Sequence, residues 1–556
     1  MVQEFCKFMV LTPYMDSKLR FKALPSSQSS LFPEDIFGRI SEDHPVRLVN
    51  RVVDDLDISS LLSQYKGGGA SSFHPRMMLK VLFYSYLSNI YSCRKIEKAL
   101  GENIHFMWLS GNSIPDFRTI NYFRGKRLRS EIHHLFSQIV QLLVELGYVS
   151  LDVQYIDGTK IESAAGRYTF VWRKSIEKNQ SKLQTKISSI LTDIDAQIKR
   201  DDQNYIAVET VSIDSESLKK KLSEINARLK DRSKATQKAL DQLQQEHLPR
   251  LEGYEKQLKV LGDRSSCSKT DPDAVFMRMK EDHMKNGQLK PGYNTQISTE
   301  EQFITHYSIH QTTADTTTLE SHLQSFEDTY KQQSSEVVAD AGYGSEQNYE
   351  LMEAKGIDAY VKYNYFHLEQ KRKVKNNPFS VANLFYNDKE DFFVCPSGQR
   401  LLNTGTGKRT STNGYESVVT YYQGARCQGC PFRGQCHSAK GNRKIEVNHR
   451  LNQLKKQAKE RLESELGLAH RSKRPIEVEA VFAQMKSNNK FTRFTLRGLQ
   501  KVTIEFGLMA VAHNLRKMAV KQNKKLISPT FFSHKIPQIH ILSLHLEQNG
   551  KGRIAA

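Results

Sequence analysis

Residues 151–158 read Leu-Asp-Val-Gln-Tyr-Ile-Asp-Gly, and apolar residues mostly alternate with polar ones along this stretch. The alternation predicts a half-buried β-strand that ends at Asp157 and Gly158. A second stretch, Glu336-Val-Val-Ala-Asp340, predicts a strand ending at Asp340, with Gly342 two residues later. Two carboxylates at the ends of neighbouring strands, beside glycines that leave room for a phosphate, suit a site that binds Mg²⁺ for phosphodiester chemistry.

A third carboxylate is expected on the helix predicted over residues 475–486, where Glu477 and Glu479 compete. At about 100° per residue the two side chains lie roughly 200° apart, so only one of them faces the sheet. Glu479 shares its face with Phe482 and Lys486, which places an acid, an apolar anchor and a cation in one row. We therefore choose Glu479 and expect Lys486 to contact a DNA phosphate. Turn or capping roles are expected for the competing acids Asp271, Asp273 and Asp315.

The segments around these acids complete a mixed α/β pattern. Strands are predicted over residues 294–299, 303–311 and 358–363, and helices over residues 315–330 and 345–355. This succession predicts an α/β core with a mixed sheet of the ribonuclease H type, interrupted by insertions.

The first 150 residues favour an all-α domain. From Pro75 an apolar run predicts a buried helix that continues through residues 92–95 to Leu100. A second helix opens after Pro115, and its arginines alternate with aromatic residues, which suits a DNA-facing helix in a helix-turn-helix-like bundle. The predicted DNA contacts on this helix are Arg118, Arg124 and Arg127. The alternative is an ordinary amphipathic helix with a solvated basic face.

A long charged segment follows the first predicted strand. Leucines and isoleucines recur every three or four residues over most of residues 175–262. This spacing predicts apolar seams on long helices, and therefore a helical-hairpin insertion of coiled-coil type.

Four cysteines cluster in a second insertion. Cys395 precedes the unit Cys427-x2-Cys430-x5-Cys436, and turn residues flank each pair. The pattern predicts a small Cys-rich β insertion with a tetrahedral structural Zn²⁺ site, in which His437 could replace one ligand. The alternative is four reduced cysteines without a metal.

The composition bounds the class of protein. The 556 residues include 81 lysines and arginines against 61 aspartates and glutamates, a net charge of +20. This excess predicts a polyanionic partner, and double-stranded DNA is favoured over a membrane. No apolar stretch approaches the roughly 20 residues that span a bilayer. Seven cysteines are too few for a secreted disulfide framework, so a reduced, cytoplasmic protein is expected.

Several motifs stand in a fixed order along the chain: His74-Pro-Arg-Met-Met-Leu79, Tyr155-Ile-Asp-Gly-Thr-Lys-Ile-Glu162, Pro291-Gly-Tyr-Asn294, Val338-Ala-Asp-Ala-Gly-Tyr343, Val478-Glu-Ala-Val-Phe482 and Ala512-His-Asn-Leu515. This series resembles bacterial insertion-sequence transposases of the cut-and-paste DDE type. The resemblance implies a ribonuclease H-like core in which Asp157, Asp340 and Glu479 are the catalytic acids. It also implies two Mg²⁺ ions per active site, for which Mn²⁺ could substitute, and DNA ends and target DNA as partners.

One signature of related transposases, Tyr-x2-Arg-x3-Glu-x6-Lys, is only half present. Glu479 and Lys486 match its last two positions, but Ser472 and Pro475 stand at the tyrosine and arginine positions. The residue that takes the role of the signature arginine is left open, and the candidates are Arg471, Arg474, Arg493 and Arg497. Phosphate contacts near the metals are expected from Lys486, Arg493 and Arg497.

The sequence therefore predicts a DNA transposase that acts as a homodimer on the ends of its element in the bacterial nucleoid. Two rivals remain: a DNA-binding protein with an inactive core, and a nuclease of the same fold without strand transfer. The predicted divisions are a helical DNA-binding domain (1–150), the core (151–174 and 263–365), the helical hairpin (175–262), the Cys-rich insertion (366–470), the C-terminal catalytic helices (471–527) and a tail (528–556).

Overall fold

The computed structural model describes residues 36–65, 72–201, 213–228, 234–279, 287–411 and 413–525. The predicted tail, residues 528–556, lies outside these ranges. The chain divides into two units, Met1–Glu42 and Asp43–Ala556. In the first unit the described structure is a single 3-10 turn, Ile36–Arg39. All further elements belong to the second unit.

Seven helices open the second unit: α1 (Pro45–Asp55), α2 (Ser59–Ser63), α3 (Pro75–Leu87), α4 (Cys93–Glu102), α5 (Ile104–Ser110), α6 (Phe117–Lys126) and α7 (Ile132–Glu145). The continuous helix predicted from Pro75 to Leu100 is wrong, because the chain breaks between α3 and α4 at Asn89, whose φ is 61°. Asn tolerates this left-handed conformation, which ends a helix. The helix predicted after Pro115 is confirmed as α6, where the Asp116 side chain accepts a hydrogen bond from Thr119 N.

The main sheet comprises β1 (Val153–Glu162), β4 (Val275–Arg278), β5 (Leu289–Glu300), β6 (Phe303–His310), β7 (Glu336–Ala339) and β8 (Asp358–Val361), while β2 (Phe170–Trp172) and β3 (Ser266–Ser268) form a separate pair. β1 is central: it pairs antiparallel with β5 and parallel with β7, which pairs parallel with β8. β4 and β6 both pair with β5 along its other edge. The predicted end of the first strand at Asp157 is wrong. Pairing with β5 carries β1 on to Glu162, so Asp157 lies in mid-strand.

Helices fill the segment between β2 and β3: α8 (Arg173–Asp201), α9 (Ser215–Arg228), α10 (Lys234–Gln242) and α11 (Leu248–Leu261), with a π-helical turn at Leu243–His247. The predicted apolar seams share one buried cluster that includes Ile187, Leu222 and Leu243. The described part of this segment thus contains four α-helices, whereas a hairpin has two.

The Cys-rich segment contains a second sheet of five antiparallel strands. After α12 (Leu319–Tyr330), α13 (Glu346–Ala354), α14 (Phe366–Glu369) and α15 (Arg372–Lys375) come β9 (Phe385–Asn387), β10 (Phe392–Val394), β11 (Arg400–Thr410), β12 (Glu416–Gly424), α16 (Arg433–Cys436) and β13 (Lys444–Val447). The strands pair in the order β13-β12-β11-β10-β9. This segment is therefore rich in β-strands.

The chain returns to the main sheet through α17 (His449–Glu463), α18 (Glu465–Arg474), α19 (Ala480–Ala483) and α20 (Leu499–Lys525). π-helical turns at Pro475–Glu479 and Gln484–Asn488 flank α19. α20 packs against α3, α7 and β6, and its residues from Phe506 to Leu515 are buried. Among the described residues, no helix combines the length and apolarity needed to cross a bilayer.

Candidate active site

Three acids from distant parts of the chain meet around the guanidinium of Arg474. Arg474 Nη2 lies 3.3 Å from Asp157 Oδ2 and 3.9 Å from Asp340 Oδ2, and Nη1 lies 3.5 Å from Glu479 Oε1. Asp157 is buried, whereas the Asp340 and Glu479 side chains are 46% and 60% exposed. The carboxylates therefore line a site with an open side, which a large substrate could reach.

The main sheet explains why Asp157 and Asp340 are neighbours. Tyr155 pairs with Val338 in the parallel ladder of β1 and β7, so Asp157 in β1 stands level with Asp340, which lies just beyond the end of β7. Backbone amides fix both side chains: Gly158 N donates to Asp157 Oδ1 and Gly342 N donates to Asp340 Oδ1, each at 2.8 Å. Backbone amides therefore hold the Asp157 carboxylate within β1 and the Asp340 carboxylate just beyond the end of β7.

The helical segment after α18 separates the two competing glutamates. Glu477 is 2% exposed, and its Oε2 accepts a hydrogen bond of 2.7 Å from Gln302 N. Burial raises the pKa of the Glu477 carboxyl. Glu477 therefore belongs to the packing of this segment on β5, while Glu479 faces Arg474.

Of the four candidate arginines for the signature position, Arg474 is the one placed among the acids. Arg471 lies over the Phe366 ring at 5.2 Å. Arg493 donates to Ser163 O and Ala165 O at 3.0 Å, and Arg497 Nε donates to Ala164 O at 2.8 Å. Arg493 and Arg497 therefore bind the backbone of residues 163–165, directly after the end of β1.

Asp315 does not have the capping role that the sequence predicts for it. It does not cap α12, whose N-cap is Thr318. Its Oδ1 accepts hydrogen bonds from Asn294 Nδ2 at 2.7 Å and Gln296 Nε2 at 3.1 Å. A side chain at Gly158 would collide with Gln296 and Asp315, so this network fills the face of β1 opposite to Asp157. Sequence reasoning missed it, although the polar alternation of Asn294 and Gln296 on a buried strand was an available signal.

Asp271 and Asp273 hold a loop, in line with their predicted role. Asp271 is fully buried and accepts hydrogen bonds from Tyr293 Oη at 2.9 Å and Gly498 N at 3.0 Å. Asp273 Oδ2 accepts from Leu499 N at 2.8 Å, at the start of α20. Both acids therefore fix the backbone at the start of α20.

The predicted DNA contacts on α6 and on the 3-10 turn after it, Arg127–Arg129, have different surroundings. Arg118 is exposed, and Arg127 lies over the Tyr65 ring at 4.4 Å. The structure does not fit the predicted DNA contact at Arg124. This side chain is 3% exposed and donates to Tyr86 Oη at 3.1 Å and Tyr91 O at 2.8 Å. It faces the helical core because it shares the buried face of α6 with Ile120 and Phe123.

An open groove of about 600 Å³ runs between α6 and the start of α20. Four cations line it: Lys126, Arg129, Arg497 and Lys501. The exposed ring of Tyr122 is on the same wall. Lys486, by contrast, is half-buried against β1, with its Nζ 3.4 Å from Lys160 O.

The cysteine segment encloses a small pocket lined by Cys395, Cys427, Cys430, Cys436 and His437. Arg443 N donates to Cys427 Sγ at 3.3 Å, and Arg443 Nη1 lies 3.1 Å from Cys436 Sγ. Both ring nitrogens of His437 are buried without a hydrogen-bond partner. Nevertheless, within the described ranges no three His, Cys, Asp or Glu side chains are grouped closely enough to hold a metal ion, here or at the acids around Arg474.

Two family models match the chain. Residues 394–519 match a model described as "Transposase DDE domain", and residues 34–126 match one described as "Transposase domain (DUF772)". The first match contains Arg474 and Glu479, while Asp157 and Asp340 precede it. No curated protein and no solved structure matches the chain.

Proposed function

Because the chain belongs to the insertion-sequence DDE transposases, we propose that it binds the ends of its own insertion sequence and catalyses strand cleavage and strand transfer. The observation that carries this proposal is the convergence of Asp157, Asp340 and Glu479 around one guanidinium. Transposases of this family use divalent metal ions and act on DNA. Three carboxylates around one positive charge have the chemistry that such ions need, since Mg²⁺ prefers carboxylate oxygens. Binding would require the three acids to draw together from their present positions.

Asp157, Asp340 and Glu479 would hold two Mg²⁺ ions, or Mn²⁺ in their place. When bound, the metal ions would activate the attacking oxygen and stabilise the leaving oxygen of the phosphodiester. Lys486 would bind a phosphate beside the acids. Cleavage by water would leave a free 3′-hydroxyl, and that hydroxyl would then attack the target strand.

The strand order supports a ribonuclease H-like core as part of this proposal. The path β6-β5-β1-β7-β8 has an antiparallel half and a parallel half that meet at β1. Ligands of α/β sheets bind outside the carboxyl ends of parallel strands. Asp340 occupies such a position after β7, level with Asp157.

Double-stranded DNA is the proposed partner of the groove between α6 and α20. Lys126, Arg129, Arg497 and Lys501 line its walls, and Arg118 is exposed on α6. Lysines and arginines along one groove suit the phosphate row of a duplex. We propose that two copies of the chain pair when they bind the two ends, in the cytoplasm with the nucleoid DNA.

The cysteine pocket is proposed to bind a structural Zn²⁺ ion through Cys395, Cys427, Cys430 and Cys436. The two buried ring nitrogens of His437 support an ion in this pocket if His437 replaces one of the cysteines as a ligand, because buried polar atoms ordinarily have a partner. The N–H donor from Arg443 to Cys427 Sγ also suits a thiolate ligand. Binding would require the sulfur atoms to draw together from their present positions.

The test of the function uses the purified protein and a duplex that carries the inverted repeat flanking its gene. With Mg²⁺ we expect nicked ends and, after addition of target DNA, joined products. Cleavage without joining would favour the nuclease, and binding without cleavage would favour the inactive DNA-binding protein. The protein with Asp157→Asn is the matched control, which should bind the ends without cutting them.

A further inference from the structure

The guanidinium of Arg474 is buried at the point where the three acids meet. Its side chain is 9% exposed, although Asp340 and Glu479 beside it are open to solvent. The Nε and Nη2 atoms of Arg474 are buried and have no hydrogen-bond partner. Charge attraction holds the side chain here, because Nη2 faces Asp157 and Asp340 without a hydrogen bond to either. The hydrogen-bonding capacity of Nε and Nη2 is therefore unused in this arrangement.

A π-helical turn points Arg474 at Glu479. In an α-helix, residues four apart share a face, whereas in a π-helical turn the spacing is five. Pro475 follows Arg474 and lacks an N–H group, so the regular bond to the carbonyl of Arg471 cannot form. The next turn instead closes with Ala480 N bonded to Pro475 O, five residues back. Arg474 and Glu479, also five residues apart, consequently lie on the same side.

We propose that Arg474 is a resident counter-ion that competes with divalent metal ions for the three acids until a DNA phosphate draws it away. This proposal rests on the proposed function. Two divalent ions among the acids would each repel a guanidinium a few ångströms away, because like charges at that distance oppose each other strongly inside a protein. A phosphodiester has the opposite effect, because its oxygens accept from Nε and Nη2 and its charge attracts the side chain. Metal and DNA therefore bind cooperatively.

The test is a titration of the full-length, DNA-free protein with Mn²⁺, followed by electron paramagnetic resonance of free Mn²⁺. Arg474→Gln should bind Mn²⁺ at least about tenfold more tightly than the wild type, which corresponds to about 1.4 kcal/mol. Lys473→Gln is the matched control, since Lys473 is an adjacent cation that pairs with Glu301 and Glu477 instead. It should leave Mn²⁺ affinity unchanged. Arg474→Lys, which keeps the charge, should stay near the wild type.

A second titration adds a short duplex carrying the element's end. Wild-type Mn²⁺ affinity should rise with DNA, and the affinity of Arg474→Gln should rise less. Equal DNA-free affinities for wild type and Arg474→Gln, with Arg474→Gln folded by circular dichroism, would overturn the counter-ion role alone. If Mn²⁺ binding did not depend on Asp157, tested with Asp157→Asn, the proposed metal site itself would fail. If Arg474→Gln misfolds, the wild type and Arg474→Lys decide the proposal. The Mn²⁺ affinity of the wild type must then rise with DNA, and that of Arg474→Lys must stay near the wild-type value.

Discussion

Glu477 and Glu479 are two residues apart and have opposite surroundings. Helical periodicity alone separates their faces, and the structure has Glu477 buried against Gln302 while Glu479 is open to solvent. The same periodicity could not identify Arg474 as the neighbour of Glu479. An α-helical register puts Pro475 at that place, and the extra residue of the π-helical turn is not visible in the spacing of side chains.

We predict that Glu479→Gln lowers DNA cleavage by more than about 100-fold, since loss of even an outer partner of a metal ligand costs roughly 10–100-fold. Glu477→Gln should retain most activity. Burial already favours the neutral form of this acid, because it raises the pKa, and an amide oxygen can still accept from Gln302 N. Cleavage of an end-bearing duplex measures both variants. The reverse pattern of loss would show that the wrong glutamate has been chosen.

Arg124 and Arg118 form a second informative pair, because one is buried and the other exposed on the same helix. Replacing Arg124 with alanine leaves Tyr86 Oη and Tyr91 O without their donor and leaves Glu505 without a nearby positive charge. We expect a loss of about 3–5 kcal/mol in the free energy of unfolding, as for other broken buried charge pairs. Urea denaturation measures this loss.

Arg118→Ala provides the comparison. It should leave the unfolding curve unchanged and weaken DNA binding, with a smaller dependence of affinity on salt. A stable Arg124→Ala with reduced preference for the element's ends would restore this arginine as a reader of DNA sequence.

Most strands and helices of the core could be predicted from local pattern. The strands β5 to β8 follow apolar runs bounded by turns, and their observed limits differ by a few residues from the predicted ones. Two predicted boundaries are wrong, one because of long-range strand pairing and the other because of a local backbone conformation. Antiparallel pairing with β5 carries β1 through Gly158, and the break at Asn89 depends on a left-handed residue inside an apolar run. The Asp315 network joins three segments and likewise cannot be derived from one of them.

The five-stranded Cys-rich sheet yields a prediction of its own. Its buried core is small, built around Leu401, Tyr422 and Ile445. A metal would add stability to such a segment directly. Cys427→Ser with Cys430→Ser should lower the zinc content by about one ion per chain and make residues 385–447 the first to exchange amide hydrogens.

The zinc prediction is checked by elemental analysis of protein purified without chelators, together with hydrogen exchange. Cys93→Ser, a change in the distant helix α4, should not alter the zinc content. Wild-type protein without zinc would remove the metal from the proposal and leave four reduced cysteines.

For the whole molecule, we expect buried histidines to contribute to the dependence of stability on pH. Burial lowers the pKa of His513 to about 4 and that of His306 to about 3, from a usual value of 6.5. Their neutral forms are therefore favoured in the fold. The stabilisation is complete above pH 6.5 and is lost as the pH falls from 6.5 towards 4, because the unfolded chain takes up protons first.

For His513 alone this loss amounts to about 2 kcal/mol at pH 5. His513→Gln should accordingly show a smaller drop in the free energy of unfolding between pH 7 and pH 5. His134→Gln, at an exposed position, should retain the wild-type drop. Urea unfolding at the two pH values gives the comparison, and equal drops in all three proteins would mean that other groups set the acid limit.

The packing of α20 has a consequence for how the protein is made. This helix, the last described element, packs against α3, α7 and β6. The positive charge of Arg124 attracts the carboxylate of its Glu505. A ribosome therefore releases the N-terminal helices long before the partner that completes their core has been synthesised. A chain that stops before Glu479 has neither a finished helical core nor one of the three proposed catalytic acids. We therefore expect synthesis to proceed through α20 before the protein can fold fully and perform the proposed reaction.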